Sequence, residues 1–126
     1  MESKELTIVI VTFKSDEKII NCLKSISNNI PVIVVENSDN KNFKNKVENI
    51  FTNVNCILAG ENKGYPAANN IGLKSVKTKY ALVLNPDTIL DKHAIKNFFT
   101  TKEQVKDFWL IGPANNQIVN FNENES

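Results

Sequence analysis

The sequence predicts an α/β protein of three layers, α/β/α, with helices on both faces of a mainly parallel, doubly wound sheet. Two observations carry this. Short runs of β-branched and aliphatic residues without polar alternation recur along the chain, as strands covered on both faces require. Between them lie stretches whose apolar residues return at helical spacing, so the order reads βαβαβαβαβ. Crossover helices between strands of one sheet imply parallel pairing.

Leu6-Thr7-Ile8-Val9-Ile10-Val11 is the first such run. Ser15-Asp16 then offers an N-cap, and Ile19, Ile20, Leu23 and Ile26 mark the apolar stripe of a helix closed by Asn28-Asn29. Pro31 opens the second strand, Val32 to Val35. Phe43, Val47, Ile50 and Phe51 mark a second helix, and Val54 to Leu58 is a shorter strand. Gly64-Tyr65-Pro66 begins a third helix with Ala67, Ala68, Ile71 and Val76 toward the core. Gly72 permits close packing of that helix on the sheet. Tyr80 to Leu84 is the fourth strand. Asp91 can cap a fourth helix through Ile95, Phe98 and Phe99, and Phe108 to Ile111 is a fifth strand stopped by Gly112-Pro113.

The chain has 126 residues, 41% hydrophobic and 23% charged, enough for one domain with one core. A formal charge of +1 argues against a nucleic-acid partner. No apolar run reaches the ~20 residues of a spanning helix, and the charged start, Met1 to Glu5, does not read as a secretory signal. Cys22 and Cys56 have no metal-ligand spacing and read as reduced, buried thiols of a cytosolic protein. Residues 1–113 form the predicted domain. Residues 114–126 are rich in Asn and Glu, with Ile118, Val119 and Phe121 the apolar exceptions, and read as a weak hairpin, a frayed tail or the start of a further segment.

Ligands of doubly wound sheets bind beyond the carboxyl ends of the strands. Those ends carry Thr12-Phe13-Lys14-Ser15, Glu36-Asn37-Ser38-Asp39-Asn40, Ala59-Gly60-Glu61-Asn62-Lys63-Gly64 and Asn85-Pro86-Asp87-Thr88. No GxGxxG follows the first strand, and there is no P-loop, no GxSxG elbow and no Ser-His-Asp arrangement. The lone histidine, His93, reads as a helix-face or surface residue.

The motifs "TIVIVTFKS", "VIVVENS", "NKGYPAANNIG" and "YALVLNPDTIL" resemble, in order, those of family 2 glycosyltransferases. Each is weak alone, but four in sequence at strand ends are specific. The Asn-Pro-Asp form of the last resembles the bacterial rhamnosyltransferase-like branch. The resemblance, from about Leu6 to Pro113, implies the nucleotide-sugar-binding, amino-terminal half of a GT-A fold and inverting transfer from a nucleotide-diphosphate sugar.

Under that resemblance Phe13 and the backbone around Thr12 wall one side of the base. Glu36 accepts hydrogen bonds from base or ribose. It stands where the family more often has Asp, one methylene shorter, and its bland alternative is an exposed turn residue. Asn37 and Ser38 favour a tight turn after it. Asn62, Lys63 and Gly64 precede the third helix, whose N-terminus can offer free N–H groups to the diphosphate. Lys63 adds charge there, and Gly64 supplies backbone geometry that a side chain would forbid. Asn70 holds the loop after strand four, faces the sugar, or is simply solvated. Asp87 is the expected ligand of a divalent cation, Mg or Mn, with Asn85 in place of the first acid of Asp-x-Asp. The alternative for this corner is a turn followed by a helix cap.

No catalytic base is identified in the sequence. A glycosyltransferase with a saccharide or lipid-linked acceptor therefore competes with a non-catalytic nucleotide-sugar-binding module or truncated remnant, and with an α/β domain lacking a nucleotide site. The family likeness implies a cytoplasmic place beside the inner membrane. An uncovered sheet edge at the fifth strand would favour a homodimer.

Overall fold

The structure is a computed structural model that describes residues 6–14, 16–91, 93, 108–111 and 118–120. The described elements run β1 (Leu6–Thr12), α1 (Asp16–Lys24), β2 (Val32–Glu36), α2 (Lys41–Ile50), β3 (Val54–Leu58), α3 (Tyr65–Lys74), β4 (Tyr80–Leu84), β5 (Phe108–Ile111) and β6 (Ile118–Asn120). All six strands form one sheet in the order β3-β2-β1-β4-β5-β6. The pairs β1–β2, β2–β3 and β1–β4 are parallel.

β1 is buried along its whole length, so its two sets of alternating side chains enter two cores. Ile8 and Ile10 join Val32, Val34, Cys56, Leu82 and Leu84 beneath α1 and α2, which contribute Ile19, Cys22, Leu23, Phe43 and Val47. Val9 and Val11 join Ile33, Val35, Ala81 and Val83 beneath α3, which contributes Ala68. Gly72 brings α3 close to the sheet on this side. A Cβ there would lie 2.6 Å from Val9 Cγ1 and 3.0 Å from Val35 Cγ2, so the bare backbone lets α3 settle onto the sheet. Each fully buried aliphatic side chain adds about 1.5–3 kcal/mol, so this sandwich supplies most of the driving force for folding.

β3 ends the sheet on one side, and its burial alternates where that of β1 and β2 does not. The outer N–H and C=O of Cys56 are not left open. Glu48 Oε2 accepts the N–H at 2.7 Å, and Lys44 Nζ donates to the carbonyl at 2.6 Å. Two side chains of α2 thus close the edge that would otherwise template another strand.

Three expectations need correction. β5 pairs antiparallel with β4, so the parallel crossover does not extend to the fifth strand. The far edge of β5 is paired antiparallel with β6, so the uncovered edge invoked for a homodimer is occupied within the chain. Ala67 is exposed rather than core-facing, because the buried face of α3 runs through Ala68 and Gly72. The fourth helix expected through Ile95, Phe98 and Phe99, and the Ser15 cap, lie outside the described residues. Cys22 and Cys56 are free and buried, and His93 is exposed. Among the described residues no helix is long and apolar enough to cross a membrane.

Candidate functional site

The four parallel strands point their carboxyl ends to one edge of the sheet. Thr12 pairs with Glu36, and Glu36 with Leu58. Leu84 pairs with Ile10, so the Asn85–Asp87 corner leaves the sheet beside the last residues of β1. The chain winds from β1 toward β2 and β3 on one side and returns to β4 on the other. The switch point therefore lies between β1 and β4, where such sheets open a crevice.

At the end of β1 Thr12 is 3% exposed, and its Oγ1 has no hydrogen-bond partner among the described residues. Phe13 is 39% exposed. Lys14 adopts a left-handed backbone, φ 57°, a conformation that side-chain-bearing residues rarely take, and Lys14 Nζ lies 5.1 Å from the Phe13 ring centroid.

Glu36 is not an exposed turn residue: it is 3% exposed. A buried carboxylate must be hydrogen-bonded. Ser38 Oγ donates across both of its oxygens, at 2.8 and 2.7 Å, and the Asn40 N–H donates to Oε1 at 3.0 Å. Asn40 in turn caps α2 by accepting the Phe43 N–H. Glu36 therefore shapes its own loop. Two carboxylate oxygens offer about four acceptor positions, so capacity remains for another donor.

Asn37 is buried as well, and its backbone N–H donates to the Thr12 carbonyl at 2.9 Å. Its side chain reaches the loop before α3: Asn37 Nδ2 donates to Asn62 Oδ1, and Asn37 Oδ1 accepts the Lys63 N–H, each at 3.0 Å. Asn62 Oδ1 also accepts the Gly64 N–H at 3.0 Å. The expectation of free N–H groups ahead of α3 is corrected at these two residues, whose donors are already taken. Pro66 has no N–H, so in the first turn the orphan donors are those of Tyr65 and Ala67. Gly64, at φ 86° and ψ 158°, occupies a region open essentially to glycine alone. Lys63 pairs loosely with Glu61, Nζ to Oε2 at 3.4 Å, on the surface.

Asn70 lies farther along α3, exposed, and among the described residues it bonds nothing in the loop after β4, so the loop-holding role expected of it does not appear. Its neighbour Asn69 has a buried Oδ1 without a partner among those residues.

At the exit of β4, Asn85 Oδ1 faces its own turn and accepts the Asp87 N–H at 3.3 Å, while the Thr88 N–H donates to the Asn85 carbonyl at 3.0 Å. Asp87 is exposed at the apex. Cys22 of α1 and Ser25, just past its end, approach this corner, and nothing in the sequence assigns either a role there. Cys22 Sγ stands 4.0 Å from the Asn85 carbonyl, and Ser25 Oγ accepts the Leu90 N–H at 2.9 Å. Burial first, and then the charge of Asp87, push the Cys22 thiol up to about 12.

Among the described residues no three His, Cys, Asp or Glu side chains gather as a metal cage. A single exposed carboxylate still fits Mg²⁺ or Mn²⁺, which take oxygen ligands from one or two carboxylates, phosphates and water. Asp87 is the residue that would hold such an ion.

Residues 7–122 match Glycosyl transferase family 2. The chain belongs to that family. It is 31% identical over 113 residues to a low-salt glycan biosynthesis hexosyltransferase of Haloferax volcanii, covering 86% of this chain and 36% of the relative. It is 30% identical over 117 residues to a teichoic acid poly(glycerol phosphate) polymerase of Staphylococcus epidermidis, covering 86% of this chain and 16% of that one. Among solved structures, S. aureus TarS in complex with UDP-GlcNAc matches with a TM-score of 0.66 at 20% identity, over 79% of this chain and 32% of TarS. A Pyrobaculum calidifontis mannosyltransferase in complex with GDP-Man and Mn²⁺ matches with a TM-score of 0.67 at 15% identity, over 75% and 31%. The family 2 chain thus has the GT-A type of α/β fold and spans about a third or less of the length of these relatives.

Proposed function

We propose that this family 2 chain is the donor-binding half of an inverting glycosyltransferase that takes a nucleotide-diphosphate sugar and serves cell-surface polysaccharide synthesis at the cytoplasmic side of the membrane. The observation that carries the reading is the pair Thr12 and Glu36. They are register partners at neighbouring strand ends, both buried, and Thr12 brings a hydroxyl without a partner among the described residues. Core residues at these positions would be apolar. Buried polar groups at the carboxyl ends of parallel strands fit a polar ligand.

In this reading Phe13 offers a ring to the base, and Glu36 accepts a hydrogen bond from base or ribose. The first turn of α3, with the Tyr65 and Ala67 N–H groups, faces the diphosphate. Asp87 would hold a divalent cation, which when bound offsets the charge that builds on the leaving diphosphate. Inversion further needs a base within hydrogen-bond reach of a saccharide or lipid-linked acceptor hydroxyl, opposite the leaving group. That base is assigned to none of the described residues.

Calorimetric titration of the chain with UDP, dTDP and GDP, with and without Mn²⁺, tests the reading. Binding of one of them, strengthened by Mn²⁺, is the expected result. Asp87→Ala should abolish the Mn²⁺ dependence, and Glu36→Ala should weaken binding and blur the choice of base. A chain indifferent to all three nucleotides would be an α/β domain without this site.

A further inference from the structure

The loop from β3 to α3 is tied to the β2 loop in two different ways along its length. It contains Gly60 at φ 92° and Gly64 at φ 86°, residues that give a backbone wide freedom. Its first half is laced to the β2 loop through the backbone, Ala59 N–H to the Glu36 carbonyl at 2.9 Å and Gly60 N–H to the Ser38 carbonyl at 2.8 Å. Its second half, Asn62 to Gly64, is held to β2 by a side chain, that of Asn37.

We propose that Asn37 is a positioning residue, which fixes the Asn62–Gly64 segment and the start of α3 in the ligand-free protein and so sets nucleotide affinity without touching the nucleotide. The proposal rests on the donor-site reading above. Asn37 is 4% exposed, and its Oδ1 and one Nδ2 hydrogen are already engaged by Lys63 and Asn62, which leaves it poorly placed to be the ligand contact expected of it.

The geometry also dictates why asparagine is needed. A backbone N–H can only donate, so Lys63 N–H fixes Asn37 Oδ1 as the acceptor, and Gly64 N–H fixes Asn62 Oδ1 as the acceptor. With both oxygens assigned, the amide of Asn37 must turn its NH₂ to Asn62 Oδ1. Aspartate, though nearly the same shape, would set oxygen against oxygen. Asn62 cannot answer by flipping its amide, because its NH₂ would then face the Gly64 N–H. Asparagine thus ties two loops, and its backbone N–H on the Thr12 carbonyl ties a third strand end. A segment held in place before binding need not lose that freedom on binding.

The test compares the 126-residue chain with Asn37→Ala, Asn37→Asp and Asn62→Ala. Asn62 is exposed, so its truncation cuts the Asn37–Asn62 half of the tie and the Gly64 acceptor without opening the core, leaves the Lys63 N–H on Asn37, and gives a readout at Gly64 if Asn37→Ala fails to fold. Amide hydrogen exchange without ligand reads the tie, and titration with UDP, dTDP and GDP in Mn²⁺ reads its consequence. In Asn37→Ala, exchange at Lys63 and Gly64 should quicken while Val9 and Val35 stay protected. Affinity for whichever nucleotide the parent binds should fall about tenfold. Asn37→Asp should keep Lys63 protected, free Gly64, and fail to rescue affinity, which a merely space-filling role would not predict. Unchanged exchange at Lys63 and Gly64 in Asn37→Ala and Asn62→Ala would overturn the tie. Faster exchange with full affinity would overturn its importance to the ligand. A parent chain that binds none of the three nucleotides would overturn the donor-site reading instead, and the exchange data would show separately whether the tie stands.

Discussion

Ser25 Oγ accepts the Leu90 N–H at 2.9 Å while donating to the Cys22 carbonyl at 2.6 Å, so the end of α1 fastens the chain leaving β4. The two residues are 65 apart in sequence, and Leu90 is buried. Between β4 and this fastening lies the corner that presents Asp87. The strand sets where the corner begins, and the helix sets where it ends.

Ser25→Ala should therefore act twice. It leaves the buried Leu90 N–H without an acceptor, a loss of about 1–3 kcal/mol. It also releases the far side of the corner, so Mn²⁺-dependent nucleotide binding should weaken more than metal-free binding. Urea denaturation and calorimetry with and without Mn²⁺ measure the two effects. An unchanged urea midpoint would mean that Leu90 finds another acceptor.

Gly72→Ala should destabilise the protein although alanine is the better helix former by up to about 1 kcal/mol. The new methyl group would meet Val9 Cγ1 at 2.6 Å, and both strands that carry the contact, β1 and β2, lie inside the sheet. Overpacking of this kind costs about 1–3 kcal/mol, and α3 must lift off the sheet to relieve it. Val9→Ala in the same chain makes room, so the double variant should be more stable than the sum of the single effects. A single variant as stable as the parent would show that α3 shifts freely.

The parts of the fold legible in the sequence are those in which one local signal decides. β1, β2 and β4 are continuous apolar runs because both of their faces are buried, and Gly72 stands out on an apolar helix face. The direction of β5 is not legible, because Phe108 to Ile111 reads alike in a parallel or antiparallel pair, and the choice depends on where the chain returns. At the site, residue types at strand ends located the rim, but they did not reveal burial. Glu36 reads as a strand-end ligand contact, with an exposed turn residue as the alternative, and Asn37 as part of the tight turn after it. Their hydrogen-bond partners hold them in place, the sequence neighbours Ser38 and Asn40 for one, the distant Asn62 and Lys63 for the other. Ser25 carried no signal at all, since a serine at a helix end is ordinary and its acceptor role appears only when β4 comes back beside α1.

Glu48 should lend stability that acid removes. Its carboxyl is held below the usual carboxylate range first by the hydrogen bond from Lys44, helped by the Cys56 N–H, against the opposing effect of burial. A lowered folded value means the contribution is present above the ordinary value of 4.5 and is lost as pH falls through the lower folded value. Both side chains are about one-third exposed, so the pair is worth no more than about 1 kcal/mol. Glu48→Gln should lower the urea midpoint at neutral pH, with the gap to the parent closing on acidification. A gap independent of pH would assign the effect to packing on β3 rather than to charge.

The thiols set the alkaline limit in the opposite sense. Burial is the main cause that pushes Cys22 and Cys56 up to about 12, reinforced at Cys22 by Asp87 and at Cys56 by Glu48 and Glu36, with Lys44 opposing. A folded value raised above the ordinary 9.0 stabilises the fold fully below that pH, and the contribution is lost as pH rises from 9.0 toward about 12. The parent should therefore lose stability over that interval more steeply than a Cys22→Ala, Cys56→Ala double variant. The same burial predicts that a thiol reagent at neutral pH labels the native chain far more slowly than the urea-unfolded chain. Native labelling at the unfolded rate would show that α1 and α2 open readily over the sheet, and the corner that α1 fastens would then be loose as well.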